Sequence, residues 1–359
     1  DENYRMGYIN NAPNPKLRWE KTRDVKVALD FGLWKDRING IVEAYWRKSK
    51  DCVTSEYVPV TTGFFNQSYN TSVLQNNGVE FSLSVAVLKS KDYNLSVSAN
   101  VAWNQNKLKK YNSPNTSLAL DKYVGYPMGA VFSGKYEGID PETGMYKFKL
   151  RPDAVTNKDG YLREPNNYYY YLGTSVAPFT GGFNLNFSYK NIGLSVGGSY
   201  SVKAKMVDNI ESPAGYELLS GSKLESIPTP HNDLYRNHLN VKREVRNRWT
   251  PENRTGVKYP RLIDAYGKKL GLDLTNPTLT TITRGALLED ISYLRINTIA
   301  LSYSLPQRVL ERINFSSAAL NLTLNNFFTI TKYSGIDPEV PGATYPVSRS
   351  VTIGLNVGF

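Results

Sequence analysis

The chain has 359 residues, a formal net charge of +11 and a mean hydropathy of −0.42. Its apolar runs are only a few residues long, far short of the roughly 18 to 20 that a membrane-spanning helix requires, so a helical membrane protein is excluded. The modest mean hydropathy leaves a membrane β-barrel open, because barrel strands present only every second residue to lipid. The single cysteine, Cys52, excludes an internal disulfide framework.

Period-two alternation of apolar and polar side chains recurs along the chain and predicts strands of about nine to eleven residues. From Tyr93 to Trp103, for example, the odd positions are apolar or aromatic, and the even positions are mostly Asn and Ser. One apolar face with aromatic residues at both ends is the pattern of a membrane barrel strand. In chain order, the predicted strands begin near Val25, Ile38, Val79, Tyr93, Phe183, Ile192, Ile296, Leu320 and Val351.

The connections between these strands alternate in length. Short hairpin turns are predicted at residues 35–36, 89–92 and 190–191, and long connections at residues 47–77, 104–178, 202–290 and 331–348. Short turns on one side and long loops on the other are typical of bacterial outer-membrane barrels, with the short turns periplasmic. This arrangement predicts an all-β, transmembrane antiparallel barrel.

The strand count is nine, or eleven if segments near Val131 and Tyr146 form an additional hairpin. Either number is odd, and an odd set cannot close an even-stranded barrel without leaving unpaired edges in lipid. We therefore expect further strands to precede residue 1. A soluble β-sandwich or β-solenoid shows the same alternation and stays open as an alternative at this point.

The last strand alternates up to the final residue. Its apolar positions are all odd, and the last is aromatic, which predicts a C-terminal recognition signal for barrel assembly formed by Val351, Ile353, Leu355, Val357 and Phe359.

Several motifs along the chain resemble those of the SusC/RagA-like TonB-dependent outer-membrane transporter family. An Asn-Pro-x-Leu-x-Trp-Glu-Lys segment begins at Asn14, and an Asn-Arg-Trp-Thr-Pro-Glu-Asn segment begins at Asn247. The remaining matches are Gly78 to Glu80, Gly138 to Asp140 with Thr143 and Gly144, Pro260 with Arg261, Ser292 to Pro306, and Asn326 to Pro346. The resemblance covers essentially all of the chain.

This resemblance implies that residues 1–359 are the C-terminal part of a barrel of about 22 strands that is filled by a plug. The family's plug domain and N-terminal strands have no counterpart in the chain. It implies active import of oligomeric nutrients, glycans or peptides, across the outer membrane. The implied partners are a SusD-like surface lipoprotein as lid, TonB acting through the missing N-terminal part, and outer-membrane lipids. No cofactor is implied. The alternatives are a passive porin or barrel scaffold, and a soluble or surface glycan-binding β protein.

Aromatic and acidic residues in the long loops are candidate contacts to substrate or lid. These are Tyr168, Tyr169, Tyr170, Tyr171, Trp249, Asp140 and Asp337. Flat aromatic rings suit sugar stacking, but packing within the loop explains them as well. Each Asp lies in a Gly-Ile-Asp-Pro-Glu repeat, which is either an exposed acidic site or ordinary turn chemistry. The polar inward positions predicted to line the lumen are Asn94, Asn100, Asn184, Asn186, Asn321 and Asn356.

The sequence gives no support to catalysis or to nucleic-acid binding. His231 and His238 are seven residues apart with no cysteine nearby, so no zinc site is expected. No nucleophile elbow or phosphate loop occurs, and the basic residues are scattered along the chain. The basic run formed by Lys242, Arg243, Arg246 and Arg248 suits an acidic glycan, lipopolysaccharide phosphates or a solvated loop.

Overall fold

A computed structural model describes residues 12–112, 123–142, 144, 146–155, 167–207, 246–259, 284–341 and 345–359. The chain divides into two compact units. Unit 1 is Asp1–Gly129 with Pro178–Tyr189, and unit 2 is Ala130–Ala177 with Lys190–Phe359.

The described residues form fifteen strands and one short α-helix, α1 (Gln307–Arg312). In chain order the strands are β1 (Lys21–Leu33), β2 (Ile38–Tyr57), β3 (Asn66–Lys89), β4 (Tyr93–Tyr111), β5 (Ala130–Gly134), β6 (Tyr136–Ile139), β7 (Tyr146–Phe148), β8 (Tyr169–Thr174), β9 (Phe179–Tyr189), β10 (Ile192–Val202), β11 (Lys205–Val207), β12 (Leu288–Asp290), β13 (Tyr293–Ser304), β14 (Ser317–Thr331) and β15 (Ser350–Gly358). Over the described part of the chain, the helical segments are too short and too polar to cross a membrane.

Nine of these strands are long and antiparallel, which confirms the predicted all-β class and the lower of the two predicted strand counts. In unit 1 the order is β1-β2-β3-β4-β9, and in unit 2 it is β10-β13-β14-β15. The eleven-strand alternative is wrong, because the segments at Val131 and Tyr146 pair within the loops. The first lies in a ribbon of β5 with β8, and the second in a ribbon of β6 with β7.

The ends of the long strands differ. We call the end with the short connections, such as residues 34–37 and 90–92, the turn end, and the opposite end the loop end. The buried apolar cluster of unit 2, formed by Ala204, Ile291 and Tyr333, is not made by the alternating side chains of the strand centres. Those side chains are open, as for Val27 at 69% and Ile353 at 73% exposure. A water-soluble sandwich buries such side chains, whereas a membrane strand turns them toward lipid.

The prediction of a long connection at residues 47–77 is wrong, because most of these residues belong to strands. β2 continues to Tyr57, β3 already begins at Asn66, and β4 likewise runs past Trp103 to Tyr111. Polar residues occupy both faces of these extensions, so the alternation that reveals a half-apolar strand is lost. Irregular register between Ser49 and Val53 breaks the pattern further.

The Asn-Pro-x-Leu-x-Trp-Glu segment holds this extended hairpin. The Asn14 amide nitrogen donates to the Ser68 carbonyl over 2.7 Å, and a Glu20 carboxylate oxygen accepts the Val53 N–H over 2.7 Å. The Asn70 side chain accepts the Arg18 N–H over 2.7 Å and donates to the Arg18 carbonyl over 2.8 Å. The motif therefore straps the chain before β1 against β2 and β3, and we call residues 12–20 the strap.

A missing side chain at Gly78 makes room for an aromatic ring. Gly78 of β3 lies directly opposite Tyr45 of β2, and a Cβ atom at this position would come within 2.4 Å of the Tyr45 ring. The Tyr45 hydroxyl donates to the Asn104 side-chain oxygen of β4 over 3.2 Å. The glycine of the Gly-Val-Glu motif thus lets one ring lie across three strands.

Candidate functional site

The register separates the strands of unit 1 into an apolar face and a polar face, because directly paired residues lie on the same side of a sheet. Val27, Ala44, Val79, Trp103 and Phe179 form one continuous apolar row across the five strands. The alternate rows carry the polar side chains, including Asn94, Asn100, Asn184 and Asn186, which pair as Asn94 with Ser188, Asn100 with Gly182, Ser98 with Asn184 and Ser96 with Asn186. We call this second side the polar face.

Two ion pairs join β1 and β2 on the polar face. The Lys26 ammonium of β1 forms an ion pair with the Glu43 carboxylate of β2. One row further toward the loop end, the Arg47 guanidinium donates two hydrogen bonds to Asp24, of 3.0 and 2.6 Å. Such solvated pairs contribute little to stability. With Asp30 and Glu80 on the same side, carboxylates outnumber cations on this hydrophilic face.

A groove of about 540 Å³ lies on this face toward the turn end. Its polar lining is provided by Asp30, Asp36, Asn39, Ser82, Ser84, Ser98, Asn100 and Asn184. Hydroxyl and amide groups can donate and accept hydrogen bonds with peptide or sugar groups, while the two carboxylates attract cationic groups. Within the described residues, no group of three His, Cys, Asp or Glu side chains has the arrangement of a metal site.

At the loop end of unit 1, a buried carboxylate joins three strands. Glu56 of β2 is 1% exposed and accepts hydrogen bonds from the Tyr111 hydroxyl over 2.6 Å and the Thr54 hydroxyl over 2.7 Å. The Thr54 hydroxyl also lies 2.6 Å from that of Thr71 in β3. Sequence reasoning missed this network, because the fold alone brings residues 54, 71 and 111 together.

The two Gly-Ile-Asp-Pro-Glu repeats form the same local turn in unit 2. The Asp140 carboxylate accepts the Glu142 N–H over 2.8 Å, and the Asp337 carboxylate accepts the Glu339 N–H over 2.9 Å. A carboxylate that bonds the backbone two residues further on is the turn chemistry typical of Asp. The repeat therefore specifies a loop shape in both places.

Asp337 has a second role besides the turn. It forms an ion pair with Arg295 of β13, and the two side chains are 5% and 3% exposed. Asp337 also accepts the Val347 N–H over 3.1 Å, and Glu339 lies 3.1 Å from the second terminal nitrogen of Arg295. Burial raises the pKa of Asp337, but the backbone N–H groups of Glu339 and Val347, together with Arg295, more than offset this and lower the pKa below its usual range.

The aromatic candidates are built into the loop structure. Trp249 is 8% exposed, and its ring N–H donates to the Pro141 carbonyl over 2.8 Å, which joins it to the Asp140 turn. The Tyr170 hydroxyl donates to the Leu150 carbonyl over 2.8 Å. Tyr171 is 41% exposed, and its ring centroid lies 5.7 Å from that of Phe132. Of these side chains, Tyr171 has the most surface open to another molecule.

Burial also affects the neighbouring phenols. It raises the pKa of Tyr168, next to the Tyr169–Thr174 strand, and that of Tyr136, which packs edge-on against Tyr146 with ring centroids 5.6 Å apart. These phenols therefore stay protonated at neutral pH and serve as hydrogen-bond donors. His231, His238, Lys242 and Arg243 lie outside the described residues, as do Thr143, Pro260 and Arg261 of the family motifs.

Structure and sequence now define a class. Long antiparallel strands with one apolar face and one polar face are typical of outer-membrane β-barrels, and the sequence motifs resemble those of SusC-like TonB-dependent transporters. The predicted resemblance to SusC/RagA-like transporters is confirmed by comparison with known proteins. No family model matches the chain.

Two curated relatives and two solved structures illustrate the similarity. TonB-dependent receptor SusC of Bacteroides thetaiotaomicron is 25% identical over 373 residues, covering 97% of this chain and 33% of that protein. TonB-dependent receptor P26 of Formosa agariphila is 25% identical over 386 residues, covering 98% and 36%. A structure of the RagAB peptide transporter superposes with a TM-score of 0.74 at 26% identity, covering 97% and 36%. The open-open state of the RagAB peptide importer gives 0.72 at 26% identity, covering 98% and 36%. The chain thus spans about a third of the length of the relatives it matches.

Proposed function

We propose that residues 1–359 form the C-terminal barrel portion of a TonB-dependent transporter that imports oligomeric nutrients across the bacterial outer membrane. The observation that carries this proposal is the division of the strands into an exposed apolar face and a polar face with a groove. An apolar face suits lipid, and a continuous polar face suits the lumen of a large barrel. The similarity to SusC and to the RagAB peptide transporter supports the same role.

In this function the polar face meets the plug and the passing substrate, and the loop end faces the cell exterior. Peptides and glycans both present amide or hydroxyl groups to Asn and Ser side chains, so either class of nutrient suits the lining. A SusD-like lipoprotein covers the loop end as lid, and TonB acts through the part of the protein that precedes residue 1. Tyr171, Trp249, Asp140 and Asp337 belong to the loops that meet this lid or the substrate.

The test is energy-dependent uptake by cells that carry the full-length protein. Labelled peptide and oligosaccharide mixtures are supplied with and without a protonophore, and a strain lacking the gene gives the background. We expect uptake of one substrate class that depends on the gene and collapses when the proton gradient is removed. Uptake that persists with the protonophore supports a passive porin instead. A protein that leaves the membrane without detergent contradicts both transport functions.

A further inference from the structure

The apolar face of unit 1 ends toward the loop end in a belt of basic side chains. Its first row crosses the sheet as Arg23, Lys48, Gln75 and Lys107, each directly paired with the next. On the same face, the next pair toward the loop end is Lys21 opposite Lys50. We call the five basic residues of these rows, Lys21, Arg23, Lys48, Lys50 and Lys107, the basic belt.

The position of the belt is set by the rows beneath it. The row immediately toward the turn end contains Trp46 paired with Val25, and the following row contains Trp103 paired with Val79. Tryptophan is enriched where hydrocarbon gives way to headgroups, because its ring is apolar and its N–H is polar. The basic belt therefore begins at the level at which the apolar band meets the headgroup layer.

Cations face one another in the belt without compensating anions. Arg23 lies opposite Lys48, and Lys21 opposite Lys50, although like charges in directly opposed positions destabilise a sheet. Among the described residues, none of the five forms a salt bridge. The nearby carboxylates are already engaged, since Asp24 pairs with Arg47 on the polar face and Asp51 pairs with Arg18. An anion from outside these residues would relieve the repulsion.

We propose that the basic belt binds the phosphate groups of lipid headgroups in the leaflet at the loop end. This inference rests on the proposed function, because it takes the sheet to span a membrane. Lipid phosphates lie at the same depth as the belt and carry the opposite charge. Arginine and lysine at this level gain binding free energy from an anionic membrane surface. The planar Arg23 guanidinium can hold two oxygens of one phosphate, and the lysines act as point charges around it.

The experiment uses the full-length protein, purified in a neutral detergent, with bound lipid counted by native mass spectrometry. The probes are bisphosphorylated lipid A and the same lipid with both phosphates removed. The belt variant Arg23→Gln/Lys48→Gln/Lys107→Gln is compared with Lys35→Gln/Lys89→Gln/Lys91→Gln, which removes the same charge at the turn end. We expect the belt variant to bind phosphorylated lipid A roughly a hundredfold more weakly, because each of three basic residues near an anionic surface contributes about a fivefold factor.

Several outcomes overturn the proposal. Equal losses in both variants show a general effect of net charge, and equal binding of both lipids by the unaltered protein shows that phosphate is not recognised. The comparison of the two lipids needs no variant, so it decides even when a variant fails to assemble. Displacement of lipid A by millimolar inorganic phosphate shows a site for free phosphate. Uptake that does not depend on the proton gradient, found together with normal binding of lipid A, would contradict the proposed transport function but not the proposal about the basic belt.

Discussion

The ion pair between Arg295 and Asp337 connects β13 with the connection before β15. Breaking a buried pair by removing one charge costs about 3 to 5 kcal/mol, because the remaining charge stays in a poorly solvated place. We predict that Asp337→Asn accelerates hydrogen exchange at the amides of Glu339 and Val347, which both donate to this carboxylate. The measurement is hydrogen–deuterium exchange of the full-length protein resolved to peptides. Asp153→Asn is the matched control, since Asp153 pairs with Arg151 at the surface. If both substitutions accelerate exchange to the same extent, burial of the Arg295–Asp337 pair does not add to its stabilising effect.

The same carboxylate predicts a pH dependence. The pKa of Asp337 is lowered in the folded protein, so its contribution to stability is fully present above the unfolded value of about 3.9 and is lost as pH falls through the folded value. We predict that the amides of Glu339 and Val347 stay protected at pH 5 and lose protection only below about pH 3.9. Exchange measured over a pH series, corrected for the intrinsic rate, provides the check. Loss of protection between pH 5 and 7 is incompatible with a lowered pKa.

The pairing of Gly78 with Tyr45 leads to a steric prediction. An added methyl group has to displace the Tyr45 ring, and overpacking of this kind costs about 1 to 3 kcal/mol. We predict that Gly78→Ala lowers the midpoint of thermal unfolding of the full-length barrel. The matched control is Gly354→Ala, where the nearest neighbouring atom of the added Cβ is the Asn321 Cβ at 4.0 Å. The double variant Gly78→Ala/Tyr45→Ala recovers part of the loss if the ring is the obstacle.

At the scale of elements, the strap stabilises the hairpin of β2 and β3 beyond the alternating segment. Asn70 is its main anchor, because it bonds the Arg18 N–H and carbonyl and also the Asp51 carbonyl over 2.6 Å. We predict that Asn70→Ala increases hydrogen exchange in residues 14–20 and in the loop end of β2, at a cost of about 1 to 3 kcal/mol for the lost bonds. Asn94→Ala is the control, since the Asn94 amide makes a long 3.5 Å bond to Ser188. Unchanged exchange in residues 14–20 contradicts the strap.

The strand centres were predictable and the loop-end extensions were not, for a physical reason. Alternation is imposed where one face meets an apolar environment, so β4 and β10 were predicted to begin at Tyr93 and Ile192 and do so. Past Trp103, polar residues occupy both faces of the strands, so the apolar and polar alternation ends, and side-chain hydrogen bonds such as those of Glu56 hold the strands together. Local periodicity also cannot tell a membrane hairpin from a loop ribbon, which is why the segments at Val131 and Tyr146 were ambiguous.

Only the features of the candidate site that depend on neighbouring residues could be predicted from the sequence. The Gly-Ile-Asp-Pro-Glu repeats specify their turns through neighbouring residues, and the turns at Asp140 and Asp337 follow from that chemistry. The Arg295 partner of Asp337 is 42 residues away, so its identity depends on the fold. One signal was available, because Arg295 is a charged residue near the start of the predicted strand beginning near Ile296.

For the whole molecule, the unpaired edges of the sheet decide whether residues 1–359 can exist alone. Among the described residues, β1 pairs only with β2, and β15 pairs only with β14. Each edge presents N–H and C=O groups that have no water partner in hydrocarbon, where every unsatisfied group costs several kcal/mol. The proposed function therefore requires further strands between these edges.

This requirement leads to a prediction about the isolated fragment. Residues 1–359 refolded in detergent are expected to associate through their free edges into mixed oligomers, whereas the full-length protein forms a uniform barrel that resists unfolding in cold SDS. Size-exclusion chromatography with light scattering measures the difference, and cold SDS electrophoresis shows whether a barrel has closed. Dilution separates edge pairing from closure, because pairing between chains weakens as concentration falls. A monodisperse fragment of one chain that keeps its strand content at low concentration contradicts the need for further strands.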